Sequence, residues 1–323
     1  MRKWFRLISI ALLLAGGIVL CAIRWQAWFG TPEEPQWTGD TLHYVFPNLT
    51  GEAEQTSNSP KDDLTILVLG DIHNRLSRAE YDTLAARVPD AQIVLQAGDW
   101  MERGQDYYRQ LLLREWTASK LYGLPVIACP GFMEYSKRLP RRVSPAWEET
   151  FPHPDNGPEG VPGTSYWVDI PHARIIVIDT NPLSRLVYLT RTLTWLRQAM
   201  YSADGRFTIV LMHHPVISSA KGDFNTLLYT TFRHALGEAD LVIAGHDHGY
   251  MRSTPFVVLN TAGKPKEQRT IENANAADTI PVYGVLNLQS PISDHQSPIS
   301  NLQFTVHRLS DGAVIDSLHV IHD

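Results

Sequence analysis

Between Leu64 and His248 the chain repeats one arrangement five times: a short apolar run that ends in polar residues, most of them of metal-binding type. Leu64-Thr-Ile-Leu-Val-Leu69 leads into Gly70-Asp71-Ile72-His73, and Ala91-Gln-Ile-Val-Leu-Gln96 into Gly98-Asp99. Leu124-Pro-Val-Ile-Ala-Cys129 leads into Pro130-Gly131-Phe132-Met133-Glu134. Phe207–Met212 ends in His213-His214-Pro215, and Leu241-Val-Ile-Ala244 in Gly245-His246-Asp247-His248. Short apolar runs bounded by turn residues read as buried strands. Helical patterns separate most of them. Ser77-Arg-Ala-Glu80 is a capping box opening a helix to about Arg87. Further helices are expected over Gly104–Ser119, Thr192–Met200 and Thr226–Leu236.

Such alternation specifies an α/β fold, in which sites form beyond the carboxyl ends of the strands. A hairpin is expected from Ser165–Val168 and Arg174–Ile178, and Pro140–Gly163 reads as loop. Past Tyr250 the pattern turns to strands only, closing in a hairpin of Asn301–Arg308 and Ala313–Val320. The expected architecture is two packed mixed β-sheets flanked by helices.

Each polar cluster alone has an ordinary explanation, since Gly-Asp at a strand end is commonly a turn. Together they bring carboxylates and imidazoles to one edge of the fold. That mixture of hard and borderline ligands suits Zn, Fe, Mn or Co. Glycines before Asp71, Asp99 and His246 allow the sharp turns that close approach to an ion requires. The formal net charge of -6 argues against a nucleic-acid binder held by a basic face. With two cysteines, one of them Cys21 in an apolar N-terminal stretch, Cys129 has no disulfide partner in the body of the chain.

The order D-x-H, G-D, P-G, H-x-P, G-H-x-H resembles the calcineurin-like metallophosphoesterases over about residues 64–250. The resemblance implies a four-layer sandwich and hydrolysis of phosphomono- or phosphodiesters by a metal-activated hydroxide. It assigns Asp71, His73 and His248 to a first metal, Asp99 to a bridge, and His213 and His246 to a second metal. The ions would be divalent or trivalent Mn, Fe or Zn. Gly245-His-Asp-His-Gly-Tyr250-Met-Arg252 is also similar to the purple acid phosphatase branch. The iron-binding Tyr expected a few residues after Asp99 is missing, and Trp100-Met-Glu-Arg103 stands there.

The third motif departs from the family's Gly-Asn-His-Glu/Asp. Phe132 places an apolar ring where the family has an Asn ligand, and Met133 holds no proton where the family has a His. One ion should therefore bind firmly and the second weakly. The expected function is a phosphoesterase with a weakened second site; the alternative is a catalytically inactive, membrane-anchored metal- or ligand-binding module. His214 and Glu134 are the candidates for a replacement catalytic group, though His214 reads first as a packing residue or one supporting the ligands from behind, and as a ligand second. Asp247 reads as structural, and Glu102-Arg103 as a local ion pair.

The N-terminus adds a location. Met1-Arg-Lys-Trp-Phe-Arg6 is basic and Leu7–Ile23 uncharged. A helix over Leu7–Ile23 would be about 26 Å long, enough to cross a bilayer with little tilt. Trp4 and Phe5 before it, and Trp25, Trp28 and Phe29 after it, match the two interfaces. The excess of preceding cations keeps the N-terminus inside and the body on the extracytoplasmic side. A cleaved signal peptide is the alternative, but Arg24 follows the apolar run directly and no Ala-x-Ala-type site is present. The expected organisation is an anchor at 1–30, a spacer at 31–63 and one domain at 64–323.

Overall fold

The computed structural model describes residues 36–38, 41–43, 63–136, 142–161, 164–221, 225–271, 274–289 and 300–322. The expected anchor and most of the spacer lie outside these residues. Among the described residues, no helix is long and apolar enough to cross a membrane. Within the spacer, β1 (Gln36–Thr38) and β2 (Thr41–His43) pair as a small antiparallel ribbon.

The domain opens with β3 (Leu64–Leu69), α1 (Arg78–Arg87), β4 (Ala91–Gln96), α2 (Asp106–Thr117), β5 (Val126–Ala128) and the single turn α3 (Pro145–Glu148). It continues with β6 (Tyr166–Ile170), β7 (Ala173–Ile178), α4 (Leu186–Tyr201), β8 (Phe207–Met212), α5 (Thr226–Leu236) and β9 (Leu241–Ala244). β10 (Tyr250–Ser253), β11 (Phe256–Val258), β12 (Ala276–Asp278), β13 (Val282–Gln289), β14 (Ser300–Arg308) and β15 (Val314–His322) complete it.

Local chemistry accounts for several boundaries. Ser77 caps α1 through the reciprocal bonds of a capping box with Glu80. Pro145 at the start of α3, capped by Ser144, makes a helical turn inside the segment expected to be loop. α4 begins at Leu186, one and a half turns before the expected Thr192. Its first turn presents Leu186 and Val187 to solvent, so burial periodicity gives no signal there.

The strands form a six-stranded sheet, β15-β14-β13-β3-β4-β5, and a seven-stranded sheet, β12-β10-β11-β9-β8-β7-β6. Both are mixed. β3, β4 and β5 run parallel in the first sheet, and β7, β8 and β9 in the second. Successive strand residues face opposite sides. Ile66 and Val68 enter the core between the sheets, whereas Leu67 and Leu69 pack outward under the helices. Ile175 and Val177 likewise face inward, with Ile176 and Ile178 under α4 and α5. Burial on both faces explains why these strands read as unbroken apolar runs. The result is the expected four-layer order, helices, sheet, sheet, helices.

Candidate metal centre

The carboxyl ends of β3, β4, β8 and β9 converge, and all six residues assigned from the sequence meet there. Asp71, His73, Asp99 and His248 form one group whose ligand atoms lie within 4.8 Å of one another. His213 and His246 form a second group within the same limit, together with His214.

The backbone is bent sharply to achieve this. Asp71, His73, Asp99, His246 and His248 all have left-handed φ values, between 51° and 72°. Non-glycine residues rarely adopt this region, and side chains held there cluster at functional sites. Backbone bonds over-determine the turns: Asp71 N–H donates to Gly98 O, and His73 N–H to Asp99 O at 2.9 Å. Gly98, at φ 83°, leaves no room for a side chain, since a Cβ there would lie 2.4 Å from His213 Nδ1. A Cβ at Gly131 would lie 2.2 Å from Asp99 Oδ1.

Asp99 stands between the two groups. Its Oδ2 is 3.7 Å from His73 Nε2, and its Oδ1 is 3.5 Å from His213 Nε2. His73 Nε2 and His248 Nε2 face each other at 3.1 Å. Two nitrogens bound to one ion at about 2.1 Å stand about 3.0–3.4 Å apart, so this spacing fits a shared ion. The outer ring nitrogens of His213 and His248 are held as ligating histidines require. His213 Nδ1 bonds Ala97 O at 3.0 Å, His248 Nδ1 bonds Lys264 O at 2.6 Å, and Glu102 Oε2 lies 3.4 Å from His73 Nδ1. His213 Nε2 and Asp71 Oδ2 are buried with no hydrogen-bond partner. Buried polar atoms are normally paired, so these two are the places where a cation fits.

The electrostatics agree. Burial raises Asp71 well above the usual carboxylate range, with Asp99 adding to the effect. Burial also pushes Asp99 up to about 7. Desolvation holds His73 and His213 down at about 3 and lowers His246 further. Neutral imidazoles beside buried carboxylates are the ligand set a divalent ion neutralises.

Several readings change at this point. Glu134 does not face the site as a replacement catalytic group. Its Oε2 accepts the N–H of Asp99 at 2.9 Å and of Gly131 at 2.6 Å, and its Oε1 that of Met101 at 2.9 Å. Phe132 is 40% exposed and offers no ligand atom. The motif's backbone still serves the site, because Met133 N–H donates to Asp99 Oδ1 at 2.7 Å. Glu102 faces His73 and Arg75. Asp247 accepts from Ser218, Ser219 and Ala220, as expected of a structural residue. Trp100, where the purple acid phosphatases lead to a Tyr ligand, is buried against Trp116 and Phe151.

Sequence reasoning missed Lys266. Its Nζ donates to His246 O at 2.6 Å, and its charge acts on both Asp71 and Asp99. It lies outside every recognisable motif, in the irregular segment after β11.

The chain belongs to the calcineurin-like phosphoesterase family, whose pattern matches residues 64–250. No curated protein matches the chain significantly. Among solved structures, it is similar to a purple acid phosphatase from yellow lupin (Lupinus luteus) seeds, with a TM-score of 0.59 and 16% identity. That match covers 81% of this chain and 54% of the lupin chain, so the protein corresponds to about half of that enzyme. It is also similar to GAP50, described as the anchor in the inner membrane complex of Plasmodium, with a TM-score of 0.55 and 16% identity. Here the coverage is 81% of this chain and 90% of that one. At this identity both likenesses speak for the fold.

Proposed function

We propose that the protein is a metal-dependent phosphoesterase, tethered by residues 1–30 to a membrane with its domain on the extracytoplasmic side. The observation that carries the catalytic part is the placement of Asp99, one carboxylate oxygen toward His73 and the other toward His213. A bridging carboxylate between two ligand groups is the arrangement two-metal phosphoester chemistry uses. When bound, the ions would activate water and offset the charge that develops on the phosphoryl oxygens.

The chain's own residues set the limits of that chemistry. Asp71, His73, Asp99 and His248 would hold the first ion, and Asp99, His213 and His246 the second. Glu134 holds the Asp99 backbone through its N–H, and the Met133 N–H donates to Asp99 Oδ1 and fixes that side of the carboxylate. Lys266 adds positive charge beside the buried carboxylates. Met133 has no proton for a leaving oxygen, a contribution commonly worth about 10²–10⁴-fold. Esters with acidic leaving groups, such as aryl phosphates, should therefore be the better substrates.

The test is hydrolysis of p-nitrophenyl phosphate and bis-p-nitrophenyl phosphate after removal of metal and reloading with Mn, Fe or Zn, with Asp99→Asn as control. Metal-restored turnover that the control lacks supports the reading. Wild-type turnover equal to the control favours a second reading, an inactive metal- or ligand-binding module on the membrane. The Phe132-Met133 departure supports that second reading.

A further inference from the structure

We infer that the second ion position has been rebuilt around three imidazoles, His213, His214 and His246, with His214 replacing the asparagine that Phe132 displaced. The inference rests on the metal-binding reading above and deepens it. His213 and His214 follow directly from the end of β8, and His246 from the end of β9. A ligand nitrogen of each lies within 4.8 Å of the other two. The rings of His214 and His246 are 4.4 Å apart, and those of His213 and His214 are 4.9 Å apart.

The orientation of His214 supports a ligand's role over simple packing. Thr180 Oγ1 lies 2.6 Å from His214 Nδ1 and also accepts the backbone N–H of His214 at 3.2 Å. With Nδ1–H donating to that hydroxyl, the other ring nitrogen keeps its lone pair for a metal. His213 is held the same way, Nδ1 on Ala97 O, with Nε2 buried and lacking a hydrogen-bond partner. Phe132 cannot contribute a ligand atom, and its ring is exposed. The position thus trades an amide oxygen for an imidazole nitrogen.

That trade has a chemical consequence. Imidazole-rich sites suit Zn, Cu, Fe and Ni, whereas carboxylate and carbonyl sites suit Mg, Ca and Mn. Three histidines with an open position also form a common zinc site. The second position should therefore accept Zn(II) or Co(II) and reject Mg(II). The first position, with two carboxylates, should be less selective.

The experiment is metal titration of the stripped protein with Zn(II), Co(II) and Mg(II), read by bound-metal analysis and, for Co(II), by visible absorption. The wild type should bind two Zn(II) or Co(II) ions and no more than one Mg(II). His214→Ala should retain the first ion with unchanged affinity and bind the second at least 10-fold more weakly. Thr180→Val should weaken the second ion about 10–100-fold, and Thr180→Ser should restore it. In the wild type, ¹⁵N-histidine NMR should show the His214 ring nitrogen shifting with the second equivalent of Zn(II), a reading independent of any variant. Two ions bound equally well without His214 would overturn the inference, as would a His214 signal indifferent to the second equivalent. A wild type that takes only one ion, still held at Asp71, His73 and His248, would overturn it and leave the first position standing. A wild type that takes none would overturn both.

Discussion

The Glu134 carboxylate accepts the backbone N–H of Asp99 at 2.9 Å, so the bridging aspartate is held from behind by a buried acid 35 residues further on. The same carboxylate takes the N–H groups of Gly131 and Met101 and ties the turns after β4 and β5 together. Burial and the nearby Asp99 push Glu134 up to about 8, and its three N–H donors oppose that rise.

Glu134→Ala leaves three buried N–H groups unpaired, each costing about 1–3 kcal/mol. The variant should melt earlier than wild type and bind its first ion about 10–100-fold more weakly. Calorimetric titration with Zn(II) reads the second effect. Unchanged affinity in a folded variant would show that Asp99 does not depend on this contact.

Metal-free stability should fall as pH rises from about 6.5 to 8. Asp99, at about 7, and Glu134, at about 8, keep protons in the fold that the unfolded chain has already lost. Folding is therefore favoured at lower pH, by about 1.4 kcal/mol per pH unit for each such proton. His73 and His213, held at about 3, act in the opposite sense, but only below their ordinary 6.5. Thermal unfolding in EDTA across this range checks the sign. With Zn(II) bound, the carboxylates have a cation and the slope should flatten. A metal-free melting temperature that rises with pH would contradict this account of the buried carboxyls.

Repairing the third motif should raise activity. Met133→His supplies a proton donor, and Phe132→Asn adds an amide oxygen to the imidazoles at the second position. The gain in kcat/KM should be larger for alkyl than for aryl esters, whose leaving groups need the proton less. Each single change should fall short of the double, because ligand and acid act as a unit. A double mutant that folds, binds two ions and remains inert would mean the pocket serves another role.

Protease added to intact cells or right-side-out vesicles should cut between Thr31 and Asp63 and release the domain. Protection of that segment would contradict the proposed orientation. A mature protein starting after Trp25 would point to a cleaved signal instead.

Most of the frame was legible in the sequence because the strands are buried on both faces. β3, β4, β8 and β9 appear as apolar runs with the limits the structure shows. The six ligands were legible because each follows directly from a strand end, four of them just after a glycine or within two residues of one. Less visible were contacts made across the chain. Glu134 looked like a spare acid because its three N–H donors are spread from Asp99 to Gly131. His214 looked like a packing residue because its partners, Thr180 and His246, are 34 and 32 positions away. Lys266 had no motif to mark it, and its position depends on how the chain returns to His246.

Anomalous diffraction from crystals grown with Zn(II) tests the central claim most directly. The account predicts a peak within bonding distance, about 2.0–2.2 Å, of His73, His248, Asp71 and Asp99 together. A Zn(II)-saturated crystal with no anomalous density between His73 and His248 would contradict it.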